Sequence, residues 1–136
     1  MRVVIIDGQG GKMGKLLIER IRSGNLPCEL LAIGTNSIAT AAMMKAGADA
    51  GATGENPVVV NSRTADVIIG PVGIIAADSL LGEITPAMAV AVGQSNAYKL
   101  LLPVNLCHNI IIGTRTLTLA KLIEDAVEEL SRLLKK

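Results

Sequence analysis

Short apolar runs along the chain alternate with longer segments in which apolar residues recur every three or four positions. The short runs predict buried strands, because helices cover both faces of a parallel sheet. The predicted strands are Arg2–Asp7, Glu29–Gly34, Val58–Asn61, Asp66–Gly70, Lys99–Pro103 and Asn109–Gly113. Helical spacing and end signals predict helices over Gly14–Arg22, from a cap at Thr35, Asn36 or Ser37 to Ala46, over Ile74–Leu81, from Pro86 after a Thr85 cap, and over Thr118–Lys136.

This order of elements predicts one α/β domain spanning residues 1–136. Strands that alternate with helices favour a three-layer, doubly wound (Rossmann-like) fold, with a mainly parallel sheet of about five or six strands. Two connections are predicted to lack regular structure, an ordered loop over Ala48–Pro57 and a turn over Gly70–Gly73.

Composition excludes several classes of function. The chain has one Tyr and no Phe or Trp, so bases have almost no aromatic rings on which to stack, and a net charge of +1 gives no footprint for nucleic acid or an anionic membrane. No apolar stretch reaches the roughly 18 residues of a membrane helix. We therefore expect a cytoplasmic protein with no nucleic-acid or membrane partner, and the high aliphatic content of so short a chain predicts a homo-oligomer.

The most informative segment is the glycine-rich loop between the first strand and the first helix. Its residues Gly8, Gln9, Gly10, Gly11, Lys12, Met13 and Gly14 are the predicted nucleotide-binding residues. Glycine allows a tight exit from the strand, a close approach of backbone to phosphate and close packing of the helix, whose N-terminal N–H groups attract anions. The last glycine comes one residue later than in G-x-G-x-x-G. The alternative is a tight turn that holds no ligand.

The run GQGGKMG resembles the nucleotide-binding loop of dihydrodipicolinate reductases over about twenty residues. Gly8, Gly10, Gly11, Lys12, Met13 and Gly14 match that family's loop, but the substrate domain of the reductases has no counterpart here. Over most of its length the chain resembles a family of short bacterial proteins classed as a domain of unknown function. The runs DGQGGKMGK, LLAIGTNSIATAAMMKAGADAGATGENPVVVN and ADVIIGPVGIIAADSLLGEITPAMA carry that resemblance, which implies the fold and supplies no reaction.

Further binding residues are expected where other strands end. Thr35 and Asn36 follow the second strand, where dinucleotide sites commonly hold an acid for the ribose; their alternative role is to cap a helix. Gly70, Pro71 and Val72 follow a later strand, and their alternative is an ordinary turn. By the same reasoning Asn105 lies at this edge, and the polar loop over residues 51–56 either covers a ligand or is a solvated surface loop.

Candidates for acid, base or metal chemistry are few. Asp7 and Asp78 are potential acids or bases, although Asp7 is expected to bind the backbone N–H groups of the glycine loop. His108 is the single histidine and lies beside Cys107, and neighbouring residues of a strand point to opposite faces, so no metal site is expected. Cys28 and Cys107 form no C-x-x-C motif, which favours a reducing compartment.

These observations predict a nucleotide-binding protein, with NAD(P) as the expected ligand class. No Tyr-x-x-x-Lys motif or His/Lys pair is present to nominate as a proton donor, so an enzyme and a non-catalytic binding module stay equally open. A second hypothesis is a small phosphate-recognising lyase or synthase of the methylglyoxal synthase-like type, in which Thr35 and Asn36 bind phosphate and Asp7 is the base. A third is an oligomeric module without a ligand.

Overall fold

The computed structural model describes residues 1–104, 108–114 and 116–136, and in these ranges five parallel strands lie between two layers of helices. The strands are β1 Arg2–Asp7, β2 Glu29–Gly34, β3 Ala50–Thr53, β4 Val67–Pro71 and β5 Tyr98–Leu102. The helices are α1 Lys12–Ser23, α2 Ser37–Ala46, α3 Glu55–Ser62, α4 Pro86–Gln94 and α5 Leu119–Leu134, with one 3-10 turn over Val72–Ile75. The predicted α/β fold class is confirmed.

The sheet is buried on both faces, which explains its uninterrupted apolar strands. In β1, Val3 and Ile5 pack in one core, and Val4 and Ile6 pack in a second core on the other face. All four side chains are fully buried. The first core includes residues of α1, α2 and α5, and the second includes residues of α3, α4 and the 3-10 turn. Alternation along one strand thus divides the apolar residues between two helical layers.

Several helix ends lie where the sequence predicts them. The Asn36 side chain accepts a hydrogen bond from Ala39 N–H at 2.9 Å and caps α2, which ends at Gly47. Pro86 is the first residue of α4 after the Thr85 cap. Thr118 caps α5. Side-chain oxygens accept N–H groups that a helix leaves without partners, so these caps are readable from sequence.

The region after α2 was predicted incorrectly. Ala50–Thr53, within the expected loop, is strand β3 and pairs with residues 31–34 of β2. Its side chains are small and largely exposed, so the strand lacks the apolar pattern on which the prediction depended. The expected strand Val58–Asn61 lies inside helix α3, where Val58 and Ser62 form the buried face. Tertiary packing at helical spacing overrides the β propensity of three consecutive valines.

Two further predicted elements and one turn are also corrected. The helix expected over Ile74–Leu81 is a 3-10 turn that ends at Ile75, and positive φ angles of 64°, 55° and 56° at Asp78, Leu80 and Leu81 are incompatible with a right-handed helix. No strand is found over the described residues 109–113. Gly70 and Pro71 are not a turn but the last two residues of β4.

Strand order places one connection in a special position. The sheet runs β3-β2-β1-β4-β5, so the chain moves outward from β1 through β2 and β3 and then returns to the other side of β1. The order therefore reverses between β1 and β4. In open α/β sheets, ligands bind outside the carboxyl ends of the strands at this reversal. The loop that follows β1 is the glycine-rich loop.

Candidate functional site

The glycine-rich loop forms a compact turn that leads directly into α1. Gly11 N–H donates to the Gly8 carbonyl at 2.9 Å, and Gly11, with φ of 75°, is the N-cap of the helix. Within the described chain the N–H groups of Gly10 and Lys12 donate no hydrogen bond. Such N–H groups at a helix N-terminus, together with the helix dipole, favour a bound anion. Helix α1 begins two residues before its predicted start.

The four glycines of this loop differ in what requires them. A Cβ on Gly11 would lie 2.8 Å from the Ala39 Cα, and one on Gly8 would lie 2.6 Å from both Glu83 and Thr35 side-chain oxygens. A Cβ on Gly14 would lie within 3.1 Å of Met43 and Asp7. A Cβ on Gly10 would have no atom within 4 Å, and the φ of this residue is not positive. The protein's own packing therefore explains three glycines and leaves Gly10 unexplained.

Asp7, the last residue of β1, binds the backbone of the glycine-rich loop through its side chain. Its carboxylate accepts hydrogen bonds from the N–H groups of Gly8 and Gly14, each at 2.8 Å, and the residue is 4% exposed. The predicted role of Asp7 as the acceptor for this loop is confirmed. Burial raises the pKa of Asp7 above its ordinary value, and the negative charge of Glu83 adds to the rise, although hydrogen bonds from the loop N–H groups oppose it.

Glu83 is the functional candidate that the sequence does not reveal. Its Oε1 accepts from Gln9 N–H at 2.6 Å and from the Thr35 hydroxyl at 2.7 Å, and its Oε2 accepts from Asn36 Nδ2 at 3.2 Å. Partial burial would raise the pKa of Glu83, but these hydrogen bonds outweigh it and hold the pKa below its ordinary value. Glu83 is therefore ionised at neutral pH, and no ion pair joins it to a cation among the described residues.

Thr35 and Asn36 lie beside the glycine loop, as predicted, and their side chains are engaged within the protein. The Thr35 hydroxyl donates to Glu83. Asn36 both caps α2 and donates to the Gln9 carbonyl at 2.9 Å. The alternative role of helix cap is thus confirmed for Asn36. The methylglyoxal synthase-like hypothesis assigns phosphate binding to these two groups, and their contacts give it no support.

A cleft of about 350 Å³ lies along the loop. Its lining comprises residues 7–13 together with Val104 and Leu119. Gln9, Gly10 and Lys12 are the exposed members of the loop, and Met13 is buried beneath it. The cleft therefore brings together six of the seven predicted loop residues, all except Gly14, which is buried within α1.

The later-strand candidates lie at the same sheet edge, outside the lining of this cleft. A Cβ on Gly70 would lie 2.6 Å from the Ile6 carbonyl, so this glycine allows close pairing of β4 with β1. Pro71 ends the strand and Val72 begins the 3-10 turn. Their part in binding stays a prediction. Asn105 and Cys107 lie outside the described residues.

No metal cluster is found in the described ranges, where no three His, Cys, Asp or Glu side chains converge. His108 is exposed and Asp78 lies in the turn after β4, with its N–H donating to the Ile84 carbonyl. The expected loop over residues 51–56 instead contains the end of β3 and the start of α3. A larger groove of about 660 Å³ lies between α1 and α5 and includes Leu16 and Ile123. It adjoins the cleft along the loop, because Lys12 and Leu119 line both.

The family of the chain follows from a match over almost its whole length. The model of the family described as "Domain of unknown function (DUF3842)" matches residues 2–135. The chain belongs to this family. The expected membership of an uncharacterised family is thereby confirmed for this DUF3842 protein. No curated protein matches the sequence.

One solved structure similar to this DUF3842 protein is described as a dodecameric FMN-dependent Ubix-like decarboxylase from Escherichia coli O157:H7. The two chains are 12% identical, the similarity covers 100% of this chain and 96% of the other, and the TM-score is 0.46. A likeness at this level carries no information on function. No helix among the described residues is long and apolar enough to span a bilayer.

Proposed function

We propose that this protein binds a phosphate-bearing nucleotide, with its phosphate on the glycine-rich loop at the N-terminus of α1. The observation that carries the proposal is Gly10, the exposed loop residue whose glycine the fold does not require. A side chain there would extend into open space, so a ligand that approaches the backbone is the simplest reason for its absence. The two N–H groups without acceptors, on Gly10 and Lys12, provide the donors.

The electrostatics of the loop are compatible with an anion. Lys12 is exposed, lines the cleft and contributes a positive charge. Asp7 directs its oxygens toward the N–H groups of Gly8 and Gly14, and its raised pKa favours the uncharged carboxyl relative to an ordinary aspartate. Glu83 lies on the β2 side of the loop, bound to Gln9, Thr35 and Asn36. The phosphate position we propose is therefore on the α1 side.

NAD(P) is the ligand class we favour, because the loop joins a parallel strand to a helix at the point where strand order reverses. Enzyme and non-catalytic binding module both fit this proposal. A cytoplasmic homo-oligomer stays part of it. Exposed apolar side chains support association, including Ile38, Leu81, Ile110 and Ile112, which are 70%, 94%, 77% and 87% exposed. Light scattering after size exclusion measures the oligomeric state.

Thermal unfolding with a nucleotide panel tests the proposal. NAD, NADP, ADP and ATP are added separately, with a triose phosphate as the ligand expected by the lyase hypothesis. A ligand at a hundred times its dissociation constant stabilises the fold by about 2.7 kcal/mol, which raises Tm by several degrees. We expect such a rise with at least one nucleotide. No rise with any of them, in protein free of copurified nucleotide, would contradict the proposal.

Gly10→Val locates the binding to the loop. Open space around this residue and its ordinary φ predict that the variant keeps the helix content and stability of the wild type. We expect nucleotide affinity to fall at least about tenfold, since the new side chain occupies the phosphate position. Gly93→Val is the matched control, because Gly93 also has open space around it but lies at the exposed end of α4. Equal affinity in the two variants would show that the loop is only a turn.

A further inference from the structure

The carboxylate of Glu83 reaches the end of β2 from a distant part of the chain. Glu83 follows the 3-10 turn after β4, yet its carboxylate contacts Thr35 and Asn36, which follow β2 directly. Dinucleotide sites commonly hold an acid at the end of the second strand, where it accepts hydrogen bonds from ribose hydroxyls. Here that position has no acid in the local sequence, and Glu83 supplies one.

The surroundings of Glu83 are built to hold it in place. Gly8 makes room for it, because a Cβ there would lie 2.6 Å from Glu83 Oε1. The preceding turn keeps Asp78, Leu80 and Leu81 at positive φ, and Gly82 at φ of 88°. Non-glycine residues adopt this region only at a cost, and such costs are concentrated at functional sites. Leu81 is 94% exposed, so burial of its side chain does not explain its backbone conformation.

Hydrogen-bonding capacity remains on the carboxylate. Oε1 accepts from Gln9 N–H and from the Thr35 hydroxyl, whereas Oε2 accepts from Asn36 Nδ2 at 3.2 Å. Two carboxylate oxygens offer about four acceptor positions, and an ionised carboxylate has no donor. Oε2 can therefore accept a hydroxyl hydrogen. It cannot satisfy a phosphate, which also lacks hydrogens to donate and carries negative charge.

We propose that Glu83 is the specificity-determining residue of the site, an inference that rests on the proposed function. Glu83 selects an unphosphorylated adenosine ribose over a ribose 2′-phosphate. The ligand class is accordingly NAD or another adenine nucleotide with free ribose hydroxyls, and NADP is rejected. No ion pair in the described ranges provides a cation at Glu83 that would offset a 2′-phosphate. A hydrogen bond from a ribose hydroxyl to the charged Glu83 carboxylate favours NAD. Repulsion between this carboxylate and a 2′-phosphate disfavours NADP.

Calorimetric titration of wild type, Glu83→Gln and Glu128→Gln with NAD and with NADP tests this inference. The glutamine keeps an acceptor oxygen for Gln9 and Thr35 and removes the charge. Glu128 is an exposed residue of α5 that pairs with Arg132, so Glu128→Gln removes one negative charge far from the loop. We expect wild type and Glu128→Gln to bind NAD at least about tenfold tighter than NADP. In Glu83→Gln this ratio falls by about tenfold.

Wild-type protein alone gives a second measurement, should Glu83→Gln fold poorly. Titration with 5′-AMP and with adenosine 2′,5′-bisphosphate compares a free 2′-hydroxyl with a 2′-phosphate, and we expect at least about tenfold weaker binding of the bisphosphate. Equal or tighter binding of the 2′-phosphorylated ligands, or an unchanged ratio in folded Glu83→Gln, would overturn the role of Glu83 and leave nucleotide binding intact. Wild-type protein that binds none of these nucleotides would overturn both proposals.

Discussion

Carboxylates at the two edges of the sheet differ in their hydrogen-bond and ion-pair partners. At the amino edge, where the strands begin, Asp49 pairs with Arg22 at 2.8 Å and also accepts from Leu30 N–H. Arg2 lies 3.9 Å from Glu29, and its own N–H donates to Asp66. At the carboxyl edge, Asp7 and Glu83 accept hydrogen bonds from N–H, amide and hydroxyl donors and form no ion pair in the described part of the chain.

This difference separates a structural edge from a candidate binding edge. An acid that is paired with arginine has its charge neutralised and its acceptor positions partly occupied, so it is a poorer binding group for a ligand. Acids held by neutral donors have no cation partner and keep their remaining acceptor positions. Burial raises the pKa of Asp7, whereas hydrogen bonds lower the pKa of Glu83. The amino edge fastens strands together, and the carboxyl edge holds donors and acceptors beside a cleft.

The largest expected difference between the edges is in stability. Asp7→Ala leaves two buried N–H groups, of Gly8 and Gly14, without acceptors, which predicts a loss of about 3 kcal/mol in the free energy of unfolding. Asp49→Ala removes a carboxylate that is half exposed, and a loss of about 1 kcal/mol is expected. Urea unfolding measures both. Equal losses at the two positions would remove the distinction between the edges.

The pH dependence of stability should have opposite signs at Asp7 and at Asp49. Because the folded pKa of Asp7 is raised, its contribution is present below its unfolded pKa and is lost as pH rises through the folded value. The pKa of Asp49 is lowered by the hydrogen bond from Leu30 N–H and by Arg22, so its contribution is present above its unfolded pKa and is lost as pH falls.

Urea unfolding of wild type, Asp7→Asn and Asp49→Asn across the acidic to neutral range measures these signs. The stability of wild type relative to Asp7→Asn should decrease as pH rises from about 4, the ordinary value of an aspartate. The stability of wild type relative to Asp49→Asn should decrease as pH falls below about 4. If the stability differences of wild type from Asp7→Asn and from Asp49→Asn change in the same direction with pH, Asp7 is not the buried, weakly acidic group described above.

The smallest expected effect comes from Thr35→Val. This variant removes one hydroxyl donor from Glu83, so the pKa of Glu83 should rise and the free energy of unfolding should fall by about 1 kcal/mol. NMR titration of the Glu83 side chain measures the pKa. Thr53→Val is the control, because Thr53 shares a hydrogen bond with Thr40 and does not contact Glu83. The same Glu83 pKa in all three proteins would show that Thr35 does not hold this carboxylate.

Much of the fold was predictable because its signals are local. Apolar runs, helix caps such as Asn36 and Thr85, and the glycine-rich loop depend on neighbouring residues. Strand β3 was missed because its residues 50–53 are small and mostly exposed at the sheet edge, and helix α3 was missed because three valines favour a strand until packing is known. Local patterns could not distinguish a helix from the left-handed turn at Asp78, Leu80 and Leu81.

The sequence predicts the part of the candidate site that depends on neighbouring residues, but not the part that depends on distant ones. Asp7 and the glycines lie within eight residues of one another, so their spacing indicates a loop held by an acid. Glu83 is 48 residues from Thr35 and 74 from Gln9. Only the return of the chain over the carboxyl ends of β1 and β2 brings them together. The sequence contains an acid for this edge, but no local spacing identifies it.

Binding at the loop is tested most directly by following backbone N–H signals during a nucleotide titration. Two-dimensional 1H–15N NMR spectra of the 15N-labelled protein are recorded with increasing NAD or ADP. We predict saturable shifts that are largest at Gly10 and Lys12, whose N–H groups have no acceptor in the described chain. Saturable shifts at Leu16 and Ile123 of the groove between α1 and α5 with none at Gly10, or no shifts at millimolar nucleotide, would contradict phosphate binding at the glycine-rich loop.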